Sequence, residues 1–404
     1  MRRSEITVGS ICFTAVVVVV VARAASDGST IPRAAPQGGG RLILVTGATG
    51  RQGGAAARRL LERGFLVRAL TRNPDQPAAH ELRQLGATIA VGDFDAPVTI
   101  DSALRGVYGV FSVQTYWGHG YDGEVRQGRT LADRAKAAGV QHFVYSSVAS
   151  ANRATGIAHF ESKWAIEEHI RAIGIPYTIL RPVAFMENWE SERDRILTTG
   201  VLRTPLAPET HLQQIAVDDI GSFVALALER PTEWLGRSVD VAGDDLTMSQ
   251  IAATVGRIAG KPVRYEQVPW SEFEATSDKD IARMYRWFEA VGYSVDLSKL
   301  RALHPFLSTF ANYLRARRWT LSSGARCGKE QAGVSGCGVE RRFPVCEVAQ
   351  ASPLQDWWPY PTVARFSQYG EHGFAGARAN VMRSGSRSLP LSLSSFGRHW
   401  PCAR

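Results

Sequence analysis

The stretch from Arg41 to Gly64, RLILVTGATGRQGGAAARRLLERG, constrains this chain more than any other. Leu42 to Val45 form the continuous apolar run of a strand buried on both faces, and Ala55 to Glu62 read as a helix ended by Gly64. Between them lies Gly47-x-x-Gly50-x-x-Gly53, with Thr49, Arg51 and Gln52 in the same turn. In a strand–turn–helix setting the first glycine permits a tight turn and the second lets the backbone approach a pyrophosphate. The third lets the helix pack close to the sheet. The free amides at the helix start then face the anion. A glycine triplet alone is an ordinary loop; its flanking elements, and the strand–helix units that follow, make it a dinucleotide cradle.

Phe65 to Arg72 form the second strand, and its end bears on the cofactor. A site for NAD(H) places Asp or Glu about 20 residues after the glycines to hold the ribose 2′-hydroxyl. Here Thr71 and Arg72 stand instead, and Arg72 with Arg51 offers guanidinium groups to a 2′-phosphate. NADP(H) is therefore expected in preference to NAD(H). A third strand, Ile89 to Val91, runs into Gly92-Asp93-Phe94, which puts Asp93 and Phe94 at the carboxyl edge where open α/β sheets bind ligands. GVYGVFSVQTYW and GVQHFVYSSVAS supply strands four and five, with a helix near Val125 to Ala138 between them. Such alternation implies an α/β fold, a doubly wound parallel sheet of Rossmann type.

Charge and cysteine usage separate the middle of the chain from its ends. Of the 47 Lys/Arg and 38 Asp/Glu, residues 321–404 hold 10 and 5 and residues 1–40 hold 4 and 2, which leaves a near-balanced 33 against 31 for residues 41–320. The net charge of +9 is therefore no sign of a nucleic-acid-binding core. The cysteines, Cys12, Cys327, Cys337, Cys346 and Cys402, all lie outside that middle and match no zinc spacing. No metal site is expected, because His80, His119, His142, His169 and His211 form no ligand pairs. The acidic pairs Asp218-Asp219 and Asp244-Asp245 read as a helix cap before Ile220 to Leu228 and as turn residues.

Residues 1–40 open with a basic start, an apolar run from Ile11 to Ala22 and a small-residue Ala22-Arg23-Ala24, the layout of a secretory signal followed by a flexible leader. The competing reading is a translation start further on, since export would part a dinucleotide-binding domain from its cofactor pool. The expected location is thus cytoplasmic, with export or membrane tethering as the alternative. Residues 321–404, rich in Ser, Gly, Arg and Pro without a sustained period, are expected to be a disordered tail.

GATGRQGG, VRALTRNP, GDFDAP, the YSSV strand end, HFESK and IPYTILRPVAFMEN together resemble the NmrA-like (HSCARG-type) family of atypical short-chain dehydrogenases/reductases. The resemblance spans about residues 41–318, with HLQQIAVDDIGSFVALALERPTEWLGRSVDVAGDDLTMSQIA similar to the family's smaller portion. It implies a Rossmann domain with a smaller α/β substrate lobe, here mainly residues 184–320, and NADP(H) binding. By the same resemblance the cofactor roles fall to Gly47, Gly50, Gly53, Arg51, Arg72 and Asp93, and further to Gln114, Thr115, Lys163, Pro182 and Val183.

In AHFESKW, His159 and Lys163 occupy the places of the Tyr-x-x-x-Lys of short-chain dehydrogenases. Residues at i and i+4 share a helix face, so both point to one cleft. Lys163 suits the nicotinamide end of the cofactor, and His159 is the candidate proton donor in the tyrosine's place. Ser146 and Ser147 end the fifth strand, but Val148 stands where an extended short-chain dehydrogenase usually has its catalytic hydroxyl. Tyr116, Trp117, Phe185 and Trp189 would line a pocket for a flat apolar molecule, or pack between the lobes. Two functions follow. The first is a redox-sensing regulator with little turnover, in which NADPH occupancy alters the cleft or a surface for a protein partner; the alternative is an NADPH-dependent reductase of a quinone or other flat apolar acceptor.

Overall fold

The computed structural model describes residues 38–320; the signal-like segment before them and the tail after them lie outside the described residues. From Leu42 strand and helix alternate: β1 (Leu42–Val45), α1 (Arg51–Glu62), β2 (Leu66–Thr71), α2 (Pro77–Gln84), β3 (Thr88–Val91) and α3 (Pro97–Leu104). The alternation continues with β4 (Gly109–Ser112), α4 (Gly120–Ala137), β5 (His142–Ser146), α5 (Ala158–Ile173) and β6 (Tyr177–Pro182). Next come β7 (Ala184–Phe185), α6 (Arg193–Thr199), β8 (Val201–Thr204), β9 (His211–Ile215), α7 (Val217–Glu229), α8 (Pro231–Trp234) and β10 (Ser238–Val241). The described chain closes with β11 (Asp244–Thr247), α9 (Met248–Ala259), β12 (Arg264–Gln267), α10 (Trp270–Thr276), α11 (Lys279–Ala290), α12 (Leu297–Leu303) and α13 (Phe310–Ala316).

Seven strands form one parallel sheet in the order β10-β6-β5-β4-β1-β2-β3. The order reverses between β1 and β4, the crevice at which doubly wound sheets take ligands. Thr46 pins this point, accepting from the Val113 amide at 3.0 Å and donating to the Phe111 carbonyl at 3.1 Å. Both faces are covered. Alternate residues of β5 face opposite ways: Val144 joins the core shared with α1 and α7, while Phe143 and Tyr145 join the core under α3, α4 and α5. Two small sheets, β11-β9-β7 and β12-β8, surround a third core containing Trp189, Met248, Phe288, Phe310 and Trp319.

The structure corrects several boundaries. Helix α1 starts at Arg51 rather than Ala55, because the backbone around Gly50 enters the helix directly and Gly53 and Gly54 are buried inside its first turn. The intrinsic helix penalty of glycine is overridden there by tertiary packing. Helix α4 likewise begins at Gly120, ahead of Val125. Arg72 falls just past β2, and Ala216 rather than an aspartate precedes α7, so Asp218 and Asp219 sit in its first turn. Asp244 and Asp245 open β11 instead of making a turn. Residues 184–320 do not stand apart from the large sheet: β10 joins it as an edge strand, and α7, buried nearly all round, covers its face beside α1. Among the described residues no helix is long and apolar enough to cross a membrane.

Candidate functional site

The glycine turn joins β1 to α1 at the carboxyl edge. Gly47 takes φ +57°, a left-handed conformation that side chains resist. Gly53 has another reason: a Cβ there would lie 2.1 Å from the Gly47 carbonyl oxygen, so only glycine lets α1 press on the turn. The N-terminus of α1 has no side-chain cap and no acidic residue in its first turn, which leaves amides and the positive dipole end for an anion. This arrangement fits a dinucleotide pyrophosphate. Thr49 is half-buried and Gly50 exposed in the same turn.

The residues around the turn are partly committed to the protein itself. Gln52 accepts the Ser146 hydroxyl at 2.6 Å, tying α1 to the end of β5. Arg51 donates to the Glu187 carbonyl at 3.3 Å, while Arg72 is exposed beyond β2. Asp93 folds its carboxylate onto the Asp95 amide at 3.0 Å, and Phe94 packs against the core under α3 and α4. Pro182 and Val183 are buried, their backbone bridging the Ala149 amide and the Val241 carbonyl.

The other side of the cleft is built on α5. Lys163 donates at 2.6 Å to Glu124 of α4, a fully buried carboxylate, and at 3.4 Å to the Gln114 carbonyl. The second Glu124 oxygen accepts the Ser162 hydroxyl at 2.5 Å. Gln114 turns its side chain inward to Ser112 at 3.1 Å, and the Thr115 hydroxyl accepts the Trp117 amide at 3.3 Å. One turn before Lys163, His159 binds the Asp280 carboxylate through Nδ1. Its ring packs against Tyr116 at 5.8 Å, Trp117 at 5.5 Å and Phe160 at 4.9 Å between centroids. Burial pushes the Tyr116 phenol above its ordinary value, as do the charges of Asp280, Asp278 and Glu124. Burial would also raise the Asp280 carboxyl, but bonds from the His159 ring and the Ala158 and His159 amides, together with the ring's charge, hold it below the usual carboxylate range.

Of the aromatic residues proposed for the pocket, Tyr116 and Trp117 meet His159, and Phe185 is half-buried against the large core. Trp189 is taken up by the small-sheet core, 9% exposed, with its Nε1 on Gln214, which leaves little ring for a ligand. Ser147 gives its hydroxyl to buried Glu167 at 2.6 Å, and that carboxylate also receives Arg181 at 2.8 and 2.6 Å. It belongs to a structural network.

Sequence reading missed Glu124, Asp280 and Glu187. Glu187 is 5% exposed and accepts the Val217 amide at the start of α7 with both oxygens at 3.1 Å. Glu124 had a faint signal, with Gly120 and Gly128 one turn to either side of it; Asp280 had none, standing 121 residues from its partner. No cluster suited to a metal ion occurs among the described residues.

The NmrA-like family model matches residues 40–314. An NmrA-like family domain-containing protein of Dictyostelium discoideum is 27% identical over 295 residues, covering 68% of this chain and 97% of that one. An NADPH-dependent quinone oxidoreductase of Escherichia coli, solved with NADPH, superposes with a TM-score of 0.58 at 26% identity, covering 68% of this chain and 99% of that one. NmrA, a negative transcriptional regulator solved with NADP, has the same fold at a TM-score of 0.58 and 21% identity, over 68% of this chain and 94% of its own.

Proposed function

The chain belongs to the NmrA-like, NAD(P)-binding family, and from that premise we propose that it is an NADP(H)-dependent reductase of a flat apolar acceptor such as a quinone. The observation that carries the reading is the pairing on α5. Lys163 is held at the β4 edge by buried Glu124, and His159 is held one turn earlier against Tyr116 and Trp117.

Bound NADP(H) supplies the hydride. The amides of the glycine turn hold the pyrophosphate, and Arg51 and Arg72 meet the 2′-phosphate, which favours NADP(H) over NAD(H). Lys163 binds ribose hydroxyls at the nicotinamide end, its charge balanced by Glu124 so that the ammonium keeps one position. Tyr116 and Trp117 give a planar acceptor an aromatic wall, and His159 returns the proton that reduction requires. On this reading the protein works in the cytoplasm, where its cofactor pool is.

The regulator reading draws on two observations: no tyrosine stands at position 159, and the Ser147 hydroxyl is spent on Glu167. Titration of the full chain with NADPH and NADH, followed by NADPH oxidation with quinone and enone acceptors, separates the two. We expect tighter binding of NADPH, and turnover with at least one acceptor that falls in Lys163→Ala. Tight binding without oxidation across the panel would overturn the reductase reading in favour of the regulator.

A further inference from the structure

We propose that Asp280 is the positioning residue of the site: from α11 it orients His159 and fixes its tautomer, so that the proton donor is complete only when α11 is seated on the start of α5. The inference rests on the reductase reading for its catalytic meaning, while its structural core stands on contacts.

Helix α5 has no cap of its own, since Ile157 precedes it and offers no side-chain acceptor. Asp280 supplies one from another element. Its Oδ1 accepts the Ala158 amide at 2.7 Å and its Oδ2 the His159 amide at 3.2 Å, and the same Oδ2 meets the His159 ring at Nδ1. An ionised carboxylate only accepts, so the hydrogen must reside on Nδ1, and Nε2 is the nitrogen left to exchange a proton. Nδ1 is the one ring nitrogen of His159 with a hydrogen-bond partner among the described residues. Both side chains are largely withdrawn from solvent, 14% exposed for His159 and 10% for Asp280, so water competes little for the contact.

Two further contacts seat the same face of α11. Arg283 donates to the Gly156 carbonyl at 2.6 Å, and Trp287 meets Phe160, the neighbour of His159, at 5.8 Å between centroids. Residues 280, 283 and 287 are spaced i, i+3, i+7, a single stripe of the helix. Asp280 is held in turn, its amide donating to Asp278, the cap of α11, at 2.8 Å. In the proton step the Nε2–H bond of protonated His159 breaks, the proton passes to an oxygen or nitrogen of the acceptor, the electron pair stays on Nε2, and solvent restores the proton.

The test uses the full chain labelled with 15N-histidine. Long-range proton–nitrogen correlation, with His159 assigned from a His159→Gln variant, reads the tautomer without cofactor or acceptor. We expect Nδ1–H in the unsubstituted protein. In Asp280→Asn an NH2 donor replaces one oxygen; turned to Nδ1 it drives the hydrogen to Nε2, while the remaining oxygen still caps Ala158. We expect that switch, with kcat lowered about 100-fold while NADPH affinity and KM move less than about threefold, as for loss of a general acid. Asp280→Glu, which keeps the charge, should restore the Nδ1–H signal and part of kcat. A neutral ring with its hydrogen on Nε2 alone in the unsubstituted protein overturns the inference whether or not Asp280→Asn folds, and so does an unchanged tautomer and kcat in a folded Asp280→Asn. Absence of turnover in the unsubstituted protein with every acceptor would sink the reductase reading alone, leaving the tautomer result to decide what Asp280 does.

Discussion

The two sides of the cleft are built in opposite ways. The glycine turn is a backbone device: three glycines within seven residues make their contacts locally, and what they offer a ligand is amide groups and absent side chains. The start of α5 is a side-chain device assembled from remote parts. Lys163 finds Glu124 at 39 residues' separation and His159 finds Asp280 at 121. A backbone device fails when any atom is added, whereas an ion-paired device degrades according to which partner is left behind.

Substitutions that add or remove these parts should sharpen the contrast. Gly53→Ala forces a Cβ against the Gly47 carbonyl, and we expect a loss of about 4 kcal/mol, at the upper end for single substitutions, with NADPH binding abolished. Chemical unfolding and fluorescence titration would measure both, and near-native affinity would refute the close approach. Glu124→Ala leaves the Lys163 ammonium without its buried partner and should cost about 3 kcal/mol. In a double-mutant cycle Lys163→Met should recover part of it; simple additivity would break the claim that the pair acts as a unit.

Glu187, whose carbonyl meets Arg51 and whose carboxylate caps α7, lies between the two designs. Burial raises its carboxyl to about 7, against the opposing amides of Glu187 and Val217 and the charge of Arg317. A folded value above the ordinary 4.5 means that its contribution to stability is full below that value and is lost as pH rises through about 7. Unfolding free energy should therefore decline by about 3 kcal/mol across that window, and Glu187→Gln should flatten the slope. An equal slope in the variant would assign the pH dependence to other groups. The smallest effect is expected at Arg72. It is exposed, and Arg72→Ala should weaken NADPH about tenfold while leaving NADH unchanged, a difference of about 1.4 kcal/mol in competitive titration.

What could be read from the chain follows the same division. The buried strand Leu42–Val45, the glycine spacing and the repeated strand–helix units were legible because each is a local pattern whose meaning depends on nearest neighbours. Boundaries were less legible where tertiary packing overrode propensity, as at the start of α1, whose glycines are tolerated inside a helix because the turn lies against them. Whether Trp189 lined a pocket or packed stayed open in the sequence, because an aromatic side chain gives no sign of which core claims it.

The sequence by itself determined the parallel sheet and the character of the anion-binding turn, since backbone conformation and periodicity are written in consecutive residues. Only the tertiary structure decided that Lys163 shares its charge with Glu124, that Ser147 serves Glu167, and that His159 is orientated by Asp280. The physical reason is the range of the interaction. A glycine's missing Cβ acts within a few residues, whereas a carboxylate reaches its partner through space, and packing α11 against α5 determines which carboxylate arrives.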